Sequence, residues 1–197
     1  EEIVEATGLL LLGDEVYEHI IFDGRRHQSL ARFPALAARS FVISSFGKTY
    51  HNTGWKVGYC LAPEPLSREF QKIHQFVTFA VNTPVQHALA DLLPKRELFL
   101  ELGTFYQAKR DLFQSLLADS RFEVLPCRGT YFQMVYYGAV SDEPDEVFAR
   151  RLTKEHKVAA IPPSVFSHQG DDHRVLRLCF AKNDATLTRA AQRLCRI

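Results

Sequence analysis

Lys48 lies in the stretch Ser44-Ser45-Phe46-Gly47-Lys48-Thr49-Tyr50, directly behind the apolar run Phe41-Val42-Ile43. A lysine placed where a strand ends and a small-residue turn begins can point into a site instead of out to solvent. Upstream, a second apolar run, Leu9-Leu10-Leu11-Leu12-Gly13, ends in Asp14-Glu15-Val16-Tyr17. One strand end offers an amine nucleophile; the other offers a carboxylate and a phenol. In parallel α/β sheets the ligand crevice lies beyond the carboxyl ends of the strands, so both sets of groups could face one pocket.

Each of these residues also has a plain structural reading. A lysine at the surface is an ammonium at neutral pH, and position by itself leaves Lys48 open to that reading. Asp14 follows Gly13 and precedes helix-compatible residues, which also suits a helix N-cap. Tyr17 fits an interface aromatic, Ser45 a turn hydroxyl bonded to its own backbone, and Lys56 a surface charge at a strand end. Arg177 stands between Leu176 and Leu178 on an apolar strand, which favours a partnered arginine over a free one; its neighbour Arg174 reads as solvated. Tyr50, Trp55 and Phe79 fit pocket-lining, core or dimer-contact positions equally well.

The elements that must position these groups follow from length and pattern. The chain has 197 residues, 46% hydrophobic and 24% charged, with a net charge of +1. That is an ordinary globular balance, with room for one full domain, or a partial domain plus a small one. It carries no strong nucleic-acid signal. No apolar run approaches the ~20 residues of a membrane span, and no basic leader opens the chain, so a cytoplasmic location is expected. The cysteines, Cys60, Cys127, Cys179 and Cys195, form no close pair. They read as free, mostly buried thiols and not as metal ligands. The histidines show no metal-type spacing; His19, His51 and His87 read as surface or core residues.

Glu1 to Ala6 reads as a helix closed near Gly8. Leu9–Leu12 suits a strand buried on both faces; residues 41–44 and 57–61 give two more strands. Residues 22–26 read as a loop and 33–39 as a short helix. The Pro63-Glu64-Pro65 cluster opens a helix to about Phe79, and Thr83-Pro84 caps another running to Leu93. From Glu97 to Ala118, apolar residues at helical spacing predict one long connecting helix. Beyond it, residues 122–125, 130–137, 158–161 and 175–180 are strand-like, and 145–156 and 185–196 helical. The expected division is 1–95, a partial large domain with a mostly parallel sheet, and 96–197, the connecting helix with a small α+β domain. With only three strands in the first part and no glycine-rich phosphate turn, the chain is expected to be the C-terminal portion of a longer protein.

The motifs Ser45-Phe46-Gly47-Lys48 with Gly54-Trp55-Lys56-Val57-Gly58, Asp14-Glu15-Val16-Tyr17, and Leu176-Arg177-Leu178-Cys179-Phe180 resemble, in order and separation, the class I/II pyridoxal-phosphate aminotransferases of the aspartate aminotransferase fold (fold type I). The resemblance covers essentially the whole chain, which corresponds to about the last half of a family member. It is nearest the methionine, kynurenine and glutamine-phenylpyruvate aminotransferase branch. Many relatives have Arg where Lys56 stands; a lysine still offers a point charge to a phosphate.

The resemblance implies a set of roles. Lys48 forms the Schiff base with pyridoxal 5'-phosphate and then shuttles the proton. Asp14 holds the pyridine nitrogen protonated, and Tyr17 reaches the cofactor's phenolic oxygen. Ser45 and Lys56 hold the phosphate. Arg177 clamps the substrate carboxylate with paired N–H bonds. No metal is implied. The Asn82-Thr83-Pro84-Val85-Gln86 turn also resembles the family's, where it lies near a dimer interface, so a homodimer is expected. The implied reaction is ping-pong amino transfer from a neutral sulfur-containing or aromatic L-amino acid to a 2-oxo acid. A carbon–sulfur β-lyase of the same fold is the alternative for the reaction, and a non-catalytic fragment is the alternative for the chain taken alone.

Overall fold

The computed structural model describes residues 2–197. The chain divides into two units, Glu1–Leu102 and Gly103–Ile197.

In the first unit, helix α1, Glu2–Thr7, is closed by Gly8, which takes a left-handed φ of 68° and donates its N–H to Val4 O at 3.0 Å. Glycine reaches that conformation without a Cβ penalty. The first residue of the expected helix, Glu1, lies outside the described residues. A three-stranded sheet follows, in the order β1-β2-β3, with β1 at Leu11–Asp14, β2 at Ser40–Ser45 and β3 at Gly58–Leu61. β1 and β2 are parallel, with Leu11 opposite Ser40 and Asp14 opposite Ile43. β2 and β3 are antiparallel, with Ser45 opposite Gly58.

Two expectations about the first strand are corrected. The first strand runs through Gly13 and Asp14 and omits Leu9 and Leu10, because the ladder spans from Leu11 N, bonded to Arg39 O, to Glu15 N, bonded to Ile43 O. Nor is the leucine run buried on both faces: β1 is an edge strand, and Leu12 is 74% exposed. β3 departs from the parallel pattern because its link to β2 holds only the four-residue helix α3, Phe46–Thr49, and a 3-10 turn at Thr53–Trp55. Parallel crossovers are usually carried by a full α-helix, which this link lacks.

Helix α2, Pro34–Ala37, has proline in its first turn. Helix α4 spans Glu64–Val77. Helix α5, Thr83–Leu92, is capped by Asn82, whose side chain accepts from Val85 N; the expected cap at Thr83 is one residue late. Among the described residues, buried side chains of this unit include Ile20, Phe22, Val42, Val57 and Leu89.

The expected long helix is two helices, α6 at Glu97–Leu100 and α7 at Leu102–Leu116. Apolar spacing continues across the break at Glu101, so periodicity does not register it, and Gly103 weakens the helix there. In the second unit β4, Glu123–Val124, β5, Phe132–Tyr136, and β6, Val175–Cys179, form an antiparallel sheet in that order, with α8 at Asp145–His156 and α9 at Asp184–Leu194. The strand expected over 158–161 shrinks to a single bridge, Ile161 with Arg177. Pro162 and Pro163 follow at once, and proline cannot donate to a ladder. Phe113, Val135, Tyr137, Phe148, Leu152, Leu176, Phe180 and Leu187 are buried in this unit, at about 1.5–3 kcal/mol of favourable transfer for each large apolar side chain.

Among the described residues no helix is long and apolar enough to cross a membrane. All four cysteines are free. Cys195 is exposed and the others are half-buried, so the expectation of mostly buried thiols fails.

Candidate active site

The end of β2 is built by a serine and two close backbone approaches. Ser45 Oγ accepts from Gly47 N at 3.2 Å and caps α3. A Cβ on Gly47 would come within 2.8 Å of Thr53 Cα, so only glycine lets the loop fold back onto α3. That fold-back is fastened by Asn52 N and Thr53 Oγ1, both bonded to Gly47 O at 3.1 Å. Lys48 therefore sits in a short helix pinned at both ends.

The end of β1 delivers the other groups. Asp14 is the last residue of the strand. Its carboxylate is exposed and accepts from Val16 N at 3.3 Å, a local turn bond of the kind Asp favours; it does not cap a helix. The chain then makes a turn fastened by Glu18 N to Glu15 O and Ile20 N to Tyr17 O. This turn brings the Tyr17 ring to 5.9 Å from Lys48 Nζ, centroid to nitrogen, within the range of a cation–π contact. Asp14 opposite Ile43, and Ser45 two residues beyond, place the carboxylate and the hydroxyl at the same end of the parallel pair. Lys56 is exposed, in a left-handed conformation with φ of 58°, just before the strand that places Gly58 opposite Ser45.

Arg177 belongs to the second unit. It lies on β6 opposite Met134 and bridges to Ile161. Its guanidinium carbon is 4.4 Å from the Phe132 ring centre and 5.4 Å from that of Phe166, and its Nε is buried without a hydrogen-bond partner. Arg174, by contrast, is ion-paired with Asp142 at 2.7 Å. Two aromatic faces thus hold Arg177, and a buried N–H remains unsatisfied, which is costly unless a ligand accepts from it. The turn carrying Phe166 is itself anchored: buried Asp145 accepts from Ser164 N at 3.0 Å and from Ser164 Oγ at 2.5 Å.

Sequence reasoning missed a set of acidic anchors behind the site. Glu15, 8% exposed, accepts from Leu30 N at 2.9 Å and pairs with His27 at 2.8 Å. Burial pushes its pKa up, but the bonds from His27, Leu30 and Ser29 and the His27 charge outweigh that and hold it below the usual carboxylate value. Glu18 Oε1 accepts from Ser44 Oγ at 2.7 Å and from Tyr59 OH at 2.5 Å. Burial, reinforced by the Glu18 bond, pushes the Tyr59 phenol up to about 12. The available signal was the acidic spacing itself, Glu15 and Glu18 flanking Val16-Tyr17.

The donor set at the β1 and β2 ends fits pyridoxal phosphate: an amine for an aldehyde, an exposed carboxylate for a ring nitrogen, a phenol for a ring oxygen, and a hydroxyl and an ammonium for a phosphate. Among the described residues no group of three or more His, Cys, Asp or Glu side chains could hold a metal ion.

The chain is similar to several known proteins. The family model described as "Aminotransferase class I and II" matches residues 1–194. The methionine aminotransferase of Escherichia coli K12 is 54% identical over 94% of this chain and 48% of its own length. The kynurenine–oxoglutarate transaminase of Dictyostelium discoideum is 35% identical over 95% of this chain and 48% of its own length. The crystal structure of Escherichia coli YbdL, described as having a methionine aminotransferase function, superposes with a TM-score of 0.94 at 51% identity, covering 99% of this chain and 53% of that one. The Mycobacterium tuberculosis N-succinyldiaminopimelate aminotransferase structure gives 0.91 at 33% identity, over 99% of this chain and 51% of that one. The chain spans about half the length of the relatives it matches.

Proposed function

We propose that this chain, which belongs to the aminotransferase class I and II family, carries the lysine-bearing share of a pyridoxal-phosphate aminotransferase site. The amino donor is a neutral sulfur-containing or aromatic L-amino acid, methionine-like, and the acceptor is a 2-oxo acid. The observation that carries this reading is the Lys48 ammonium beside the Tyr17 ring, at strand ends that also present Asp14 and Ser45. The names of the relatives favour amino transfer over β-elimination.

Bound pyridoxal phosphate supplies an aldehyde for the substrate nitrogen and a ring that withdraws electrons from the substrate Cα. The chain's residues do the rest. Lys48 would provide the amine that holds the cofactor covalently and, once a substrate amine replaces it, would take the proton from the substrate Cα and deliver it to the cofactor. Asp14 supplies negative charge that keeps a ring nitrogen protonated. Tyr17 donates to a ring oxygen. Ser45 and Lys56 donate to the phosphate. Arg177 offers a planar fork to the substrate carboxylate. Further phosphate and ring contacts are proposed to come from outside these residues, and the active protein is proposed to be a cytoplasmic homodimer.

The test is to incubate the protein with pyridoxal phosphate, record the visible spectrum, reduce with borohydride and map the modified peptide. Labelling at Lys48, lost in Lys48→Ala, is the expected result. Labelling that survives Lys48→Ala rejects the reading.

A further inference from the structure

We propose that Glu18 is a positioning residue: through one carboxylate oxygen it ties the turn that carries Tyr17 to the strands on either side of Lys48. This rests on Lys48 being the reactive amine of the site, as argued above.

The geometry is that of a three-way joint. Glu18 follows Tyr17 directly in the chain, and its Oε1 accepts from both Ser44 Oγ on β2 and Tyr59 OH on β3. Ser44, 2% exposed, immediately precedes Ser45, the residue that caps the Lys48 helix. Tyr59 faces Ser44 across the antiparallel pair. One oxygen therefore links three segments that are far apart along the chain, two of which carry the proposed catalytic groups. Hydrogen bonds to an ionised acceptor are the stronger kind, and they fix direction as well as distance. The groups facing Glu18 are Ser44, Tyr59 and His19, whose Nε2 is 3.9 Å from the same oxygen. The Tyr17 backbone is covalently held to this joint, so the position of its ring beside Lys48 depends on it. Without the joint, the turn keeps its Glu15–Glu18 and Tyr17–Ile20 backbone bonds and is tied to β2 through Glu15, whose N–H donates to Ile43 O at 2.7 Å and whose carbonyl accepts from Ser44 Oγ at 3.5 Å; these ties hold the start of the turn, two residues before Tyr17, and do not involve β3.

The full chain, without cofactor, is treated with limiting acetic anhydride, and acetylation of Lys48 is measured by peptide mass spectrometry. Lys72 on α4 serves as the internal reference; it is well exposed and pairs with its helix neighbour Glu69. Glu18→Ala is expected to raise the Lys48 rate relative to Lys72 about threefold, the size of losing one exposed cation–π contact. Glu18→Gln keeps an acceptor oxygen and is expected to restore the wild-type Lys48 rate, while its Tyr59 phenol, followed by ultraviolet absorbance, titrates closer to an ordinary tyrosine. Tyr59→Phe and Ser44→Ala each remove one arm, and smaller rises are expected; they keep the proposal testable if Glu18→Ala fails to fold. An unchanged Lys48-to-Lys72 ratio in Glu18→Ala, or in both single-arm variants, overturns the proposal even if the melting temperature falls. Because no cofactor enters this experiment, failure of borohydride trapping at Lys48 in the wild type would count against the proposed function separately.

Discussion

Gly58 packs directly against the backbone of Ser44: a Cβ at Gly58 would stand 2.4 Å from the Ser44 carbonyl oxygen. That contact joins the strand entering from Lys56 to the strand leading into Ser45 and Lys48, with no side chain between them.

A backbone oxygen cannot rotate aside as a flexible side chain can, so Gly58→Ala must part β2 from β3. The expected cost is about 1–3 kcal/mol, the range for overpacking a tight site. Gly54→Ala is the matched control, because a Cβ there meets nothing within 4 Å, and its effect is expected within about 0.5 kcal/mol. Urea denaturation followed by the Trp55 fluorescence of the first unit measures both. Equal midpoints for the two variants would show that the close approach is relieved at no cost.

Glu15 makes the first unit sensitive to acid. Its pKa is lowered in the folded chain from an ordinary 4.5, so the folded state holds the ionised form more tightly than the unfolded state does. The stabilisation is complete above about 4.5. It is lost as pH falls through the folded value, because the unfolded state takes up the proton first. Wild-type stability is therefore expected to fall more steeply than that of Glu15→Gln below pH 4.5, by at most about 1.4 kcal/mol per pH unit for one proton. The two stability curves, taken by denaturant titration at a series of pH values, should converge toward acid. Parallel curves would assign the acid sensitivity to other carboxylates.

Arg177 is held between Phe132 and Phe166, with its buried Nε unsatisfied. In the catalytically active protein, Arg177→Lys keeps the charge but loses the planar fork. KM for the amino acid is expected to rise about tenfold to a hundredfold, matching about 1.5–3 kcal/mol for a charged hydrogen bond, with kcat much less affected. Steady-state kinetics with an amino acid and its amide makes the comparison. The amide, lacking the carboxylate, should lose little further between wild type and variant. An equal loss for both substrates would remove the carboxylate role.

Much of the site was legible because it depends on near neighbours. An apolar strand followed by Ser45-Phe46-Gly47-Lys48 forces a turn after the strand, and Ser45 caps it with its own side chain. Asp14 at a strand end needs only the strand before it. Helix α8 was legible for the same reason: its limits, Asp145 and His156, are marked by Pro144 before it and acidic residues in its first turn.

Other features were not legible. The 3.6-residue apolar rhythm passes unchanged through Glu101, where α6 ends and α7 begins. The leucine run 9–12 has the composition of a buried strand, but its exposure depends on what pairs with β1, which lies at the edge of the sheet. The strand expected over 158–161 has the right residues and lacks a partner ladder beyond Ile161.

Residue type and local periodicity thus determined which groups could react and where the longer helices would lie, since covalent neighbours set those preferences. Tertiary structure alone decided that β3 runs antiparallel to β2, that Glu18 meets a tyrosine 41 residues away, and that two phenylalanines enclose Arg177. Each of those depends on strand register and loop closure, and the free energy of such long-range pairing is set by the packing of the whole unit and not by any stretch of sequence read alone.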